Sequence, residues 1–217
     1  TSSMAHMYPD VSPLDIEAYG ERHLYQCLRD RLGADWHVIH SLPYTDDLGR
    51  CLHQGECDFL LLHPDHGLLV VEAKSGFPRY DRHTGTWQYE ETREPMRRSP
   101  VEQVQRATRS VVRILAGRLP AWRDRPPRYG HAVAFPDARA VMGALPPEFH
   151  RAGLLLAGDL DRLEHWARLA LESVGPELPP LGSDLLHQTI AALLPALDLV
   201  PSLDARLAAD ERALVRL

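Results

Sequence analysis

The chain has 217 residues, 44% of them apolar and 25% charged, with a net charge of −6 at pH 7. This is the composition of an ordinary globular domain and excludes collagen-like, low-complexity and disulfide-framed chains. No apolar run approaches the about 18 residues that cross a bilayer, the longest being 59–62 and 67–71, so no membrane partner is expected. The first residues carry no basic stretch followed by an apolar one and read as vector-derived, so 1–7 are set outside the predicted fold. Three cysteines without an export signal predict reduced thiols and a cytoplasmic location.

In chain order, Leu14, Ala18, Leu24, Cys27 and Leu28 follow helical spacing between Ser12-Pro13 and Gly33, predicting a helix near 14–32. Residues 36–42 read as a strand, and 43–55, with proline, two glycines and paired aspartates, as a loop. Two apolar strands, 57–63 and 68–74, flank Pro64-Asp-His-Gly67, a hairpin connection, and 83–89 predict a further short hairpin. Ser99-Pro100-Val-Glu102 is a capping box that opens a helix with Val101, Val104, Ala107, Val111, Val112 and Leu115 on its apolar face. Strands follow at 130–135 and 154–157, and Asp159 is expected to cap a helix running to about Val174. A proline-rich stretch, 176–182, predicts a linker, with a short helix near 184–194 and a C-terminal stretch at 203–217 beyond it. The order predicts an α/β domain over 8–175, a mixed central sheet flanked by helices and built around the 57–74 hairpin, with 176–217 as linker and helical connector.

Charge is unevenly spread. Residues 93–128 hold ten arginines against three acids, a net +7 inside an acidic chain. A phosphate-facing surface and a solvated helix face give the same count; on the first reading Arg97, Arg98, Arg106 and Arg109 are candidate nucleic-acid contacts. Of the 24 basic residues, Lys74 is the one lysine. An ammonium is a compact charge, whereas a guanidinium is wide and planar, so a tight site can demand lysine where arginine serves elsewhere.

Lys74 also ends an apolar strand. Glu72 and Lys74 lie two apart and so share a face, and Asp58 begins the neighbouring strand. Buried charges are costly unless paired or bound to metal. One reading is a salt bridge of Lys74 with Asp58 or Glu72. The other is a hard-cation site for Mg²⁺ or Mn²⁺, with water activated for attack on a phosphate and Lys74 orienting that water. Cys51, His53 and Cys57 lack the paired spacing of a zinc site, the histidines follow no metal-ligand motif, and no P-loop occurs.

Gly55-Glu56-Cys57-Asp58, Gly67 and Val71-Glu72-Ala73-Lys74-Ser75-Gly76 resemble the core of the nuclease-related domain (NERD) family, a branch of the PD-(D/E)xK superfamily. Gly20-Glu21, Trp87 and Ser99-Pro100 with Gln103 extend the resemblance over about residues 14–140. It implies a restriction-endonuclease-like fold, Asp58 and Glu72 as metal ligands with the Ala73 carbonyl as a third, and Lys74 as the catalytic lysine. It also implies Glu21 as an auxiliary acid at the metal and Gln103 as a polar positioner; Glu56 shares the parity of Asp58 and is secondary. Residues 203–217 resemble the segment that, in some members, precedes a helicase-like ATPase domain, an expected partner absent from this sequence. The expected function is Mg²⁺- or Mn²⁺-dependent hydrolysis of DNA, with RNA undistinguished. Two alternatives are a nucleic-acid-binding module that recruits an ATPase and an adaptor whose carboxylates are structural.

Overall fold

A computed structural model describes residues 4–47, 52–147 and 149–198. The chain enters through strand β1 (His6–Tyr8), helix α1 (Tyr19–Arg31), and strands β2 (His37–Asp47), β3 (Leu52–His63) and β4 (Gly67–Ala73). Strands β5 (Pro78–Asp81) and β6 (Thr86–Tyr89) precede helices α2 (Pro100–Arg118) and α3 (Pro120–Asp124). Strand β7 (Tyr129–Phe135), strand β8 (Met142–Gly143), strand β9 (Leu154–Leu156) and helices α4 (Leu163–Glu172) and α5 (Ser183–Asp198) complete it. The main sheet runs β1-β2-β3-β4-β7-β9, antiparallel across β2-β3-β4 and parallel at β1-β2, β4-β7 and β7-β9. A small second sheet runs β6-β5-β8.

The strands of the hairpin are apolar on both faces because both are covered. Leu60, Leu62, Leu68 and Val70 pack under α2, α3 and α5 with Val104, Val111, Trp122 and Leu186. Phe59, Leu61, Leu69 and Val71 pack on the opposite side under α1 and α4 with Leu24, Leu28, Ala167 and Leu171. The result is the expected mixed α/β arrangement. Among the described residues, no helix is long and apolar enough to cross a membrane.

Five expectations are corrected. Residues 4–8 are part of the fold: Ala5 and Met7 are buried, and His6–Tyr8 pairs with β2 from His37 to Ile39. Most of 43–55 is a two-stranded arm rather than loop, since β2 and β3 remain paired out to Asp47 and Leu52. Gly55 is a cross-strand partner there, because any Cβ would lie 2.4 Å from the hydroxyl of Tyr44, whose ring occupies that space. The first helix starts at Tyr19, after a 3₁₀ turn at Pro13–Asp15. The carboxylate of Asp159 accepts from the Leu156 N–H at the head of a 3₁₀ segment, Ala157–Arg162, so α4 itself begins later.

The fifth concerns 176–198, which packs into the domain. Arg128 donates to the carbonyls of Gly175, Pro176 and Leu178, and its own N–H donates to the Pro179 carbonyl, so this arginine of the basic segment is structural. The Gly182 N–H donates to the Pro64 carbonyl; Leu181, Leu186, Ile190 and Leu193 are buried, and the Trp122 Nε1–H donates to Thr189 Oγ1 at 2.9 Å. Cys51 and 203–217 lie outside the described residues.

Candidate functional site

The antiparallel register sets Phe59 opposite Val71 and Leu60 opposite Val70, and Glu72 and Lys74 continue the face of Val70, which α2 covers. The pairing of β3 with β4 stops at Phe59, and the Ala73 N–H donates instead to the Asp58 carboxylate at 2.8 Å. On the other side, β2 pairs with β3 at His40 and at Leu42 but skips Ser41, whose φ is +60°. A non-glycine residue held in that region is strained; here it stands beside Asp58. Lys74 is fixed by its main chain, the N–H donating to the Ala134 carbonyl at 2.8 Å.

Helix α1 meets the end of β4 from the opposite layer. The Gly20 N–H donates to Ser75 Oγ at 2.9 Å, and a Cβ at Gly20 would lie 2.7 Å from that oxygen, so only glycine allows the approach. That contact brings Glu21 to the site. Its Oε2 lies 3.1 Å from Nε2 of His40, a buried histidine whose ring is tilted against Phe59 and edge-on to Tyr25.

These groups open into a cleft of about 600 Å³. Asp58, Glu72, Ala73 and Lys74 form its floor, and Glu21 borders it. Tyr44, Gln54 and Glu56 from the β2–β3 arm make one wall; Met96, Arg97, Arg98, Gln103 and Arg106 make the other. Ser99 caps α2, its Oγ accepting from the Glu102 N–H, and this turns Gln103 and Arg106 toward the cleft. The sequence-predicted residues therefore converge, with one exception. Arg109 is outside the cleft and lies near His131 on β7.

Lys74 Nζ donates to Glu72 Oε1 at 2.6 Å, the salt bridge that stood as an alternative. Burial pushes the Asp58 carboxyl well above the ordinary carboxylate range, and the charges of Glu72 and Glu21 push it further. The Ala73 N–H and Lys74 oppose this without overcoming it. Burial likewise raises Glu72, against the pull of Lys74. Crowded acids of this kind ionise readily only beside added positive charge.

Among the described residues, no group of three or more His, Cys, Asp or Glu side chains is gathered as a metal cage. Glu21 is turned onto His40. The donor set still fits a hard cation that takes one or two carboxylates and keeps its waters, as Mg²⁺ does. Asp58 and Glu72 are all-oxygen donors on one face, and the cleft leaves room for water and a phosphate.

His40, Ser41, Tyr44 and Gln54 went unnoticed in the sequence. A histidine within a strand was the one available signal, and its acid partner lies 19 residues earlier on another layer.

The family model of the nuclease-related domain matches residues 16–136, which hold the whole floor of the cleft and both walls. Comparison with curated proteins and with solved structures gave no match.

Proposed function

Because the chain belongs to the nuclease-related domain family, we propose that its cleft hydrolyses DNA phosphodiester bonds using Mg²⁺ or Mn²⁺ at Asp58 and Glu72. The observation that supports this is the convergence of Asp58, Glu72 and Lys74 at the floor of a cleft edged by Gln103, Arg97, Arg98 and Arg106. A divalent cation bound there supplies charge against the scissile phosphate and lowers the pKa of a water. Asp58 and Glu72 present the anionic oxygens, the Ala73 carbonyl serves as third donor, and Glu21 acts as the outer acid. Lys74 orients the attacking water and donates to charge developing on the phosphate, a stabilisation strongest in a water-poor site. Gln103 offers an uncharged amide to the same phosphate, and the three arginines hold flanking phosphates.

A second reading draws on the Lys74–Glu72 contact. If that pair persists when nucleic acid binds, the cation site stays closed and the chain works as a recruitment module. Coupling to a helicase-like ATPase belongs to either reading and rests on the resemblance of 203–217.

The test uses labelled single-stranded, duplex and branched DNA, with RNA in parallel, in Mg²⁺, Mn²⁺ or EDTA, for the protein and for Lys74→Ala. Metal-dependent products absent from the variant support hydrolysis at this cleft. Tight binding without products under every metal supports the recruitment reading.

A further inference from the structure

A second cavity, about 560 Å³, lies apart from the cleft at the other end of β7. It is lined by Gln105, Tyr129, His131, Phe149, Ser173 and Val174, among others. Part of its wall, from Phe149 onward, comes from beyond the residues that the family model matches.

Its back is an open strand edge. The Leu68 N–H donates to the Arg128 carbonyl and the Lys74 N–H to the Ala134 carbonyl, so the even-numbered residues here aim their main-chain groups at β4. The odd-numbered ones aim the other way. There β9 pairs only with Val133–Phe135, and the Gly153 N–H turns back to the His150 carbonyl. Among the described residues, Tyr129 and His131 therefore have no strand partner on that side. The His131 carbonyl lies against Gly153, where a Cβ would stand 3.3 Å from it, so the Tyr129 carbonyl and N–H and the His131 N–H form the acceptor–donor row at the rear of the cavity.

The walls define what can meet this row. Gln105 and His131 lie on the α2 side of the sheet plane; Ala170, Ser173 and Val174 lie on the α4 side. A molecule bonded to the edge must lie in the plane of the sheet between two layers, so it is flat. Pro126, Pro127, Phe149, Val174 and Leu178 make the surroundings largely apolar, and among the described residues the lining holds no Asp, Glu, Lys or Arg. Burial lowers the His131 pKa, keeping the ring neutral, and Arg109 nearby acts in the same direction. The volume falls within the range of small-molecule sites.

We propose that this cavity binds an uncharged planar heteroaromatic group with adjacent donor and acceptor, of the purine and aminopyrimidine class, on the open edge of Tyr129 and His131. The group can belong to a free nucleoside or to a base of a nucleic-acid strand. The site is independent of the hydrolytic reading of the cleft.

Titration calorimetry on the full chain with adenosine, 2-aminopyrimidine and an oligodeoxyadenylate, beside naphthalene as a flat control lacking the polar edge, tests this. Saturable binding of adenosine and aminopyrimidine, with none of naphthalene, is expected. Affinity should fall at least tenfold in Ser173→Phe, which fills the cavity, and measurably in Gln105→Leu, the milder change should the first variant not fold. Lys74→Ala should bind as the parent does. Oligonucleotide binding sensitive to Ser173→Phe identifies strand-borne bases as a source; adenosine binding alone identifies free ones. The proposal is overturned if no heteroaromatic binds, if naphthalene binds equally well, or if binding is lost in Lys74→Ala rather than in the cavity variants. It is also overturned if an extended apolar peptide binds where the bases do not, which would make the edge a strand acceptor.

Discussion

His40 holds Glu21 across two layers of the fold, Nε2 lying 3.1 Å from Oε2. The histidine is itself wedged between Phe59 and Tyr25, so the orientation of the acid at the cleft is set from within the core. Outer groups that orient metal ligands typically change metal affinity or activity by about 10–100-fold when removed. His40→Leu is expected to raise the Mg²⁺ concentration needed for half-maximal cleavage by a factor in that range, with KM for DNA little changed. His40→Gln, which keeps a donor, should recover part of the loss. An unaltered Mg²⁺ dependence in His40→Leu would reduce the pair to a packing contact.

Lys74 is the compact charge at the cleft floor, 2.6 Å from Glu72. Removing a preorganised donor of this kind costs roughly 10²–10³-fold in kcat. Lys74→Ala is expected to lose at least the lower figure while keeping its far-UV circular dichroism. Lys74→Arg should not rescue it, because the planar guanidinium cannot occupy the same point beside Glu72. Single-turnover cleavage of Lys74→Arg at the parental rate would refute the role.

Burial pushes the His37 pKa down to about 4, with the charges of His6 and His187 acting in the same direction. A group with a lowered folded-state pKa binds fewer protons folded than unfolded, so stability rises with pH through that interval. The contribution of His37 is complete above its ordinary value and is lost as pH falls toward about 4. Thermal melts between neutral pH and pH 4 should show His37→Gln losing less stability on acidification than the parent. Parallel acid profiles for the two proteins would rule this out.

Thr189 on α5 accepts the buried indole N–H of Trp122 at 2.9 Å. Leaving a buried donor unpaired costs about 1–3 kcal/mol. Thr189→Val keeps the shape and removes the acceptor, so urea unfolding should register a loss of that size. Unchanged stability would mean that α5 is held by its leucines alone.

The floor of the cleft was legible because it is local. Asp58, Glu72 and Lys74 belong to one hairpin, and strand parity puts Glu72 and Lys74 on one face. Gln103 entered only through the family resemblance, since a glutamine in the first turn of a helix carries no signal of its own. What could not be read depends on distant contacts. The pairing of His6–Tyr8 with β2 leaves no signature in three residues, and the glycine of the arm reads as a turn until Tyr44 is seen to occupy its missing side chain. Arg128 counted toward a basic face, yet it closes the chain reversal at 175–179. The linker reading of 176–182 failed for the same reason, since prolines mark the absence of regular structure and say nothing about whether a segment is packed.

The walls of the cleft lie outside the stretch of hairpin that forms its floor: one is the far end of the arm, on the same strand as Asp58, and the other is a separate segment. The arm carries Tyr44 and Gln54, and the segment before α2 carries Arg97 and Arg98. The breadth of what enters is thus governed separately from what happens to it. Lengthening the arm or exchanging the arginine segment alters the gauge of the channel while the hairpin chemistry stays as it is, so descendants of such a domain can diverge in diet without reinventing the tooth.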